Sequence, residues 1–418
     1  MFKNIYAREY YLNKIRGFYH DDMIKVITGI RRCGKSSFLK SVANDLITSG
    51  ILEQNIIYID LDIKKYHKVT TSDQLEKIID DLIDNNTEYK YLLIDEIQNV
   101  KDFEPLINAY RNEGNISIFL TGSNSYLLSG ELTTKLTGRY IEIEMFPLNF
   151  YEYLELKKFF GKSISDASYE FNQYIRYGGF PKLVEYDSQE DKELYIQDVI
   201  KQIILKDIRK HKKIRNMSVF DRVMTYIINN FGSTVNFSNI LKYFNNEEKI
   251  PITQETLYGY IRLLENAKVI YKCPRFDLKS RRSLKGEQKY YLADLGIYFS
   301  RNTDTRINYG PALENLFYTY LSAKGYSLSI GKIGRLECDF IARKNNEYCY
   351  AQVAMTIANR ETEDREYASL EQIRDNYPKY LFTLDSLLQH RNGIIHKNLS
   401  EFMRKDNDLI LGEIRDGQ

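Results

Sequence analysis

Residues 29–36 read Gly-Ile-Arg-Arg-Cys-Gly-Lys-Ser, a glycine, four further residues, then Gly-Lys-Ser. A phosphate cradle requires this spacing. Gly29 and Gly34 permit the tight backbone that aims several N–H groups at phosphate oxygens, and a helix starting there adds the positive end of its dipole. Lys35 is placed to reach β- and γ-phosphates, and Ser36 to hold magnesium. Gly29, Ile30, Arg31, Arg32, Cys33, Gly34, Lys35, Ser36 and Ser37 are therefore the candidate ATP-binding residues.

A second set of reactive residues follows. Apolar residues 91–94 run into Asp95-Glu96, as a Walker B segment requires. Asp95 at the strand end can reach magnesium through water, and Glu96 can polarise the attacking water. The apolar run 116–120 ends in Thr121-Gly122-Ser123-Asn124, where a polar side chain could hydrogen-bond that water or the γ-phosphate. Asn124 is the favoured candidate and Ser123 its rival; an ordinary polar turn is the alternative. Arg139, just before the strand-like 140–143, could act as a finger on a neighbouring subunit's nucleotide, a charge worth about 10³ to 10⁵ in rate. Its alternative is pairing with a surface carboxylate.

These residues need elements to hold them. Apolar residues 23–27 read as a strand and 36–46 as a helix; 55–61 is a short buried strand and 74–83 an amphipathic helix. Strands alternating with helices imply a parallel sheet. In this order the landmarks resemble the AAA+ ATPases. More closely, "TGIRRCGKSSFL", "LLIDEIQNV", "FLTGSNSYLL", "LTGRYIEIEMFPLNFYEY" and "YGGFP" resemble a widespread prokaryotic AAA group. The C-terminal part of that group is a domain of unknown function related to restriction endonucleases. The resemblance covers nearly the whole chain and implies an AAA+ core with a small helical lid. It carries Lys35, Ser36, Asp95, Glu96, Asn124 and Arg139 onto the roles given above, and makes Arg176 a candidate second sensor. Arg31 and Arg32 exceed what such a loop needs; they could bridge to the lid, contact a ligand, or cover apolar surface with their stems.

Further along, 220–229, 238–244 and a helix opened at Gln254 precede strand-like 268–271 and 289–292. Leu257, Ile261 and Leu264 give the third helix a buried face. Three helices and a hairpin suggest a winged helix-turn-helix, a module that binds DNA or docks proteins. On DNA, Gln254, Glu255, Tyr258 and Arg262 would face the major groove. Lys272, Arg275, Lys279, Arg281, Arg282, Lys285 and Lys289 would contact phosphates, with a second basic run at Lys206, Arg209, Lys210, Lys212, Lys213 and Arg215.

Residues 310–384 resemble a PD-(D/E)xK nuclease core, with Glu314 in a helix and Asp339 at the first acidic position. Gln352 replaces the second acid and Ala354 the lysine. A neutral amide binds a hard cation weakly and alanine offers nothing, so nuclease activity is expected to be absent.

At 418 residues, with 43% apolar and 28% charged residues, the chain reads as several soluble domains without a membrane-length apolar run. The expected fold is α/β: an AAA+ core at 1–147, a helical lid at 148–212, a winged helix at 213–300, and a degenerate restriction-endonuclease-like α/β domain at 301–418. Cys33, Cys273, Cys338 and Cys349 are too scattered for a zinc site, and the charged N-terminal residues fit a cytoplasmic protein. Net charge of +2 carries no global message about nucleic acid. The expected function is magnesium-dependent ATP hydrolysis coupled to a DNA-associated assembly, in a homo-oligomer with Arg139 acting in trans. The alternatives are a slow, nucleotide-gated switch of the STAND type and an ATP-regulated nuclease.

Overall fold

A computed structural model describes residues 2–83, 88–122, 136, 138–209, 214–302 and 306–409. Its contacts divide the chain into two compact units. Unit 1 is Met1–Pro147 with Lys201–Lys213 and Asn266–Lys268; unit 2 is Leu148–Ile200, Ile214–Glu265 and Val269–Gln418.

Unit 1 opens with α1 (Glu9–Arg16). It then alternates β1 (Ile24–Gly29), α2 (Lys35–Thr48), β2 (Ile56–Asp60), α3 (Ser72–Leu82), β3 (Lys90–Asp95), α4 (Phe103–Glu113), β4 (Ile116–Thr121) and β5 (Tyr140–Met145). The strands form one parallel sheet in the order β2-β3-β4-β1-β5. β1, β3 and β4 are buried along their whole length, which is why they read as unbroken apolar runs instead of alternating ones. Leu75 and Ile79, one helical turn apart on α3, pack into the cluster of Ile57, Ile59, Leu92 and Ile94. Parallel strands place all their carboxyl ends on one edge, where open α/β sheets bind ligands.

Unit 2 continues with α5 (Phe150–Phe159), α6 (Ala167–Tyr177) and α7 (Gln189–Gln202), whose last two residues fall in unit 1. Asn149 and Glu152 close a reciprocal cap at the start of α5. Next come α8 (Met217–Asn229), β6 (Thr234–Val235), α9 (Phe237–Lys242), α10 (Gln254–Asn266), β7 (Ile270–Asp277) and β8 (Arg282–Leu292). α10 buries Leu257, Ile261 and Leu264, as its spacing predicts. The chain then runs through α11 (Tyr309–Ala323), β9 (Ser327–Ile333), β10 (Leu336–Lys344), β11 (Glu347–Val353), α12 (Arg360–Gln372), β12 (Lys379–Thr383), β13 (His390–Arg391) and β14 (Ile394–Asn398). One sheet of order β13-β14-β12-β11-β10-β9-β7-β8-β6 joins these strands. The β7–β8 hairpin is continued by β9, parallel to β7, so pairing crosses residue 300, where separate domains were expected.

The Tyr177-Gly178-Gly179-Phe180-Pro181 stretch is explained by a buried carboxylate. Asp294 accepts hydrogen bonds from the Gly179 N–H at 2.6 Å and the Gly296 N–H at 2.8 Å. Gly178 has φ +82°, and a Cβ there would lie 1.7 Å from Asp294 Oδ1, so no side chain fits. Burial raises the Asp294 carboxyl to about 7, against the two N–H groups that favour the anion. Because the folded chain then binds a proton that the unfolded chain has already lost, stability falls as pH rises from about 4 to 7, by on the order of 4 kcal/mol from this group. Urea midpoints of wild type should therefore decline over that range relative to Asp294→Asn, which lacks the titration; parallel profiles would contradict the assignment.

Candidate functional site

The loop between β1 and α2 is built to hold phosphate. Gly29 has φ +142°, and a Cβ on it would lie 2.2 Å from the Met145 carbonyl at the end of β5. Gly34, with φ 106°, caps α2 in the left-handed region that only glycine enters freely. Ile30 and Cys33 are buried beneath the loop, and burial pushes the Cys33 thiol up, which leaves it an inert packing group. The four cysteines are all free and buried. Arg8 clamps the loop from below, donating through Nη1 to the Phe146 carbonyl at 2.8 Å and the Cys33 carbonyl at 3.3 Å. Lys35 is the first residue of α2; its ammonium donates to the Gly29 carbonyl at 2.9 Å and the Ile30 carbonyl at 3.3 Å. Ser36 is half-buried and Ser37 exposed.

β4 lies between β1 and β3, so its last residue, Thr121, is flanked by the phosphate loop and by Asp95-Glu96. The Thr121 hydroxyl donates to Asp95 Oδ1 and accepts from the Glu96 N–H at 3.1 Å. Burial raises the Asp95 carboxyl above its ordinary value; the Thr121 and Ser36 hydroxyls oppose that shift, while Glu96 and Asp60 add to it. Hydroxyl and carboxylate oxygens of Ser36 and Asp95 are thus neighbours, a donor set that suits a hard cation such as magnesium. Glu96 adopts φ 59°, left-handed for a non-glycine residue, and Gln98 donates to its carboxylate. Strain of this kind collects at sites where the side chain's direction matters. Asn124 and Ser123 lie outside the described residues. Thr121, whose importance depends on strand order and is not visible in the sequence, is the polar side chain that ends β4 among the described residues.

Arg139 immediately precedes β5, and its carbonyl accepts from the Ile24 N–H at 2.9 Å. It therefore sits at the amino ends of β1 and β5, the edge opposite the phosphate loop, six residues or about 20 Å along β1. Its exposed guanidinium donates to Asn108 Oδ1 at 3.1 Å. Arg31 is bidentate to Asp207, Nε to Oδ2 at 2.8 Å and Nη2 to Oδ1 at 2.9 Å, whereas Arg32 is exposed with φ 69°. Arg176, within unit 2, lies 3.7 Å from Glu193 and over the Tyr177 ring.

In unit 2 the structure brings together Glu314, Asp339 and Gln352 and adds a lysine that sequence reading placed on a DNA-facing surface. Lys289 on β8 donates to Glu314 at 2.9 Å, forms an ion pair with Glu337 at 3.0 Å, and is only 6% exposed. Tyr291 also donates to Glu314, at 2.9 Å. Asp339 accepts from the Val353 N–H, and Gln352 is spent on the Asp339 N–H, Ser369 and Glu366. Burial pushes both Asp339 and Glu314 upward. Among the described residues no group of three His, Cys, Asp or Glu side chains is placed to hold a metal ion.

Arg275 is likewise consumed, pairing with Glu287 and Glu337. Of the hairpin cations expected to meet phosphate, Lys272, Lys279, Arg281 and Arg282 are exposed, while the Lys285 side chain lies outside the described set. Lys206, Arg209 and Arg215 of the second run are exposed; Lys210, Lys212 and Lys213 lie outside the described residues.

Thr121→Val keeps the shape of a fully buried side chain and deletes both hydrogen bonds. It should lower ATP turnover about 10²-fold by misplacing Glu96 and Asp95, while leaving ATP affinity nearly unchanged. Steady-state turnover alongside nucleotide titration checks this; unchanged turnover would remove Thr121 from the site.

A family model described as an AAA domain matches residues 21–154, and a domain of unknown function, DUF8612, matches residues 168–305. The chain is 36% identical to an uncharacterized protein of Haemophilus influenzae, over 92% of this chain and 94% of that one. It is 30% identical to an uncharacterized protein of Methanocaldococcus jannaschii, over 82% and 78% of the two chains. Its structure is similar to the Walker-type ATPase of Pyrococcus abyssi, with a TM-score of 0.50 and 16% identity over 70% of this chain and 94% of that one, a likeness of fold alone. Among the described residues no helix is long and apolar enough to cross a membrane. The chain belongs to one family with the Haemophilus and Methanocaldococcus proteins, and its phosphate loop, interposed β4 and Asp95-Glu96 edge lie within its AAA domain of the P-loop ATPase type.

Proposed function

We propose that the protein is a magnesium-dependent ATPase whose turnover acts on a DNA-associated assembly. The observation that carries the ATPase reading is the meeting of Lys35, Ser36, Thr121, Asp95 and Glu96 at one edge of the unit 1 sheet. The loop N–H groups and Lys35 bind the phosphates, with the Lys35 ammonium exchanging its carbonyl partners for phosphate oxygens. Ser36 and Asp95 would hold magnesium, which neutralises charge on the phosphates when bound. Glu96 orients the attacking water and takes its proton, and Thr121 fixes the backbone from which Glu96 projects. The position of Arg139, on the far edge of the sheet from its own loop, supports a role on a second copy's nucleotide.

DNA is favoured as the load by the exposure of one helix and one hairpin. Gln254, Glu255, Tyr258 and Arg262 all lie on the exposed face of α10, and Lys279, Arg281 and Arg282 are exposed at the β7–β8 turn. A helix with a basic wing beside it can read a groove while gripping the backbone. In unit 2, Lys289 pairs with Glu314 and Glu337 and positions 352 and 354 carry Gln and Ala, which supports binding in place of cleavage.

Duplex DNA should stimulate ATP turnover, and its affinity should fall steeply with salt as counterions are released. Replacing Lys279, Arg281 and Arg282 together by alanine should reduce the slope of log K against log salt by about two to three. A salt-independent interaction, or an unchanged slope in the triple variant, would refute DNA contact through this hairpin.

A further inference from the structure

Arg31 stands where a phosphate loop ordinarily has no need of a cation, and it is held with unusual care. Its side chain is 17% exposed and that of Asp207 only 6%. Asp207 takes one edge of the guanidinium, Nε and Nη2, in a bidentate pair. Among the described residues it is the only side chain hydrogen-bonded to Arg31. A guanidinium has five N–H donors, so both N–H groups of Nη1 and one of Nη2 remain for another acceptor. Burial opposes the charge, but Asp207, then Glu96 and Asp62, more than offset it and raise Arg31 above its ordinary value. Glu96, the residue that handles the attacking water, thus contributes to the field at this cation.

Asp207 is placed by an unusual backbone. Residues Ile203–Arg209 form a π-helix, a geometry that recurs at functional sites because its widened turn redirects a side chain. The segment Lys201–Lys213 packs in unit 1 although the chain on either side of it belongs to unit 2. A surface cation would not need such a partner. A guanidinium that must point at a small anion does, because a carboxylate on one edge fixes its plane and leaves the other edge free.

We propose that Arg31 is a catalytic cation supplied from within the phosphate loop, its free edge binding the γ-phosphate of ATP, and that Asp207 is the residue that positions it. This rests on the reading of residues 29–36 as the ATP loop and assigns a γ-phosphate contact beyond those of Lys35. Charge on the γ-phosphoryl oxygens grows along the reaction path, so a fixed cation there favours the transition state and distinguishes ATP from ADP.

The test uses the full chain, fluorescent ADP and ATP analogues, and steady-state turnover. Wild type should bind both nucleotides and Lys35→Ala neither; failure of wild type to bind would sink the loop reading and this inference with it. With binding established, Arg31→Ala should keep ADP affinity, weaken ATP binding about tenfold and lower kcat about 10²-fold. Arg31→Lys, a charge without the fork, should fall between. Asp207→Asn should lower kcat about tenfold with little change in KM, and should add nothing in the Arg31→Ala background. Thermal melts report folding, and if Arg31→Ala fails to fold, Arg31→Lys and Asp207→Asn carry the same comparison. Equal losses of ADP and ATP binding, or additive losses in the double variant, would show the pair to be a structural strut and overturn the proposal.

Discussion

The Thr121 hydroxyl, held between the Asp95 carboxylate and the Glu96 N–H, is the contact on which the site depends. It exists because β4 is inserted between β1 and β3. Adjacent parallel strands lie only about 4.8 Å apart, so that insertion sets the distance between the phosphate loop and the acidic pair. A hydroxyl serves both neighbours because it donates to one and accepts from the other. The unbroken burial of the three strands makes the register costly to shift, and so fixes where these side chains emerge.

Charge is handled in three different ways within the molecule. At the sheet edge, Asp95 is buried and raised, ready to recover its charge beside a cation. In unit 2, Lys289 pairs directly with Glu314 and Glu337, so those two carboxylates share one buried cation. Asp294, with no cation beside it among the described residues, relies on two backbone N–H groups and is pushed up to about 7. Removing one partner from such a cluster leaves an uncompensated buried charge, so each holds its surroundings in one arrangement.

The parts of the fold legible in the sequence were those encoded by neighbours along the chain. Gly29, Gly34, Lys35 and Ser36 announce the loop through their spacing, and buried parallel strands announce themselves as apolar runs. Local sequence favours Ser123 and Asn124 over Thr121, because a strand's last residue gains its meaning from the strands beside it. Asp207 lies 176 positions from Arg31, and the carbonyl of Phe146 lies 138 positions from Arg8; no local pattern joins either pair. Lys289 reads in the sequence as part of a DNA-facing wing, because a basic run is indistinguishable there from a surface whose lysines are partly spent on buried carboxylates. The lysine sought at position 354 was absent, and the one that reaches Glu314 comes from a strand preceding it in the chain.

In the proposed reading, the carboxyl edge of the unit 1 sheet hydrolyses ATP with Glu96 handling the water. Its most direct test is the identity of the nucleotide retained by Glu96→Gln after incubation with ATP and magnesium. Intact ATP should be found on the variant, against ADP on wild type, because binding survives while proton removal does not. ADP formed by the variant at the wild-type rate would show that Glu96 is not the base.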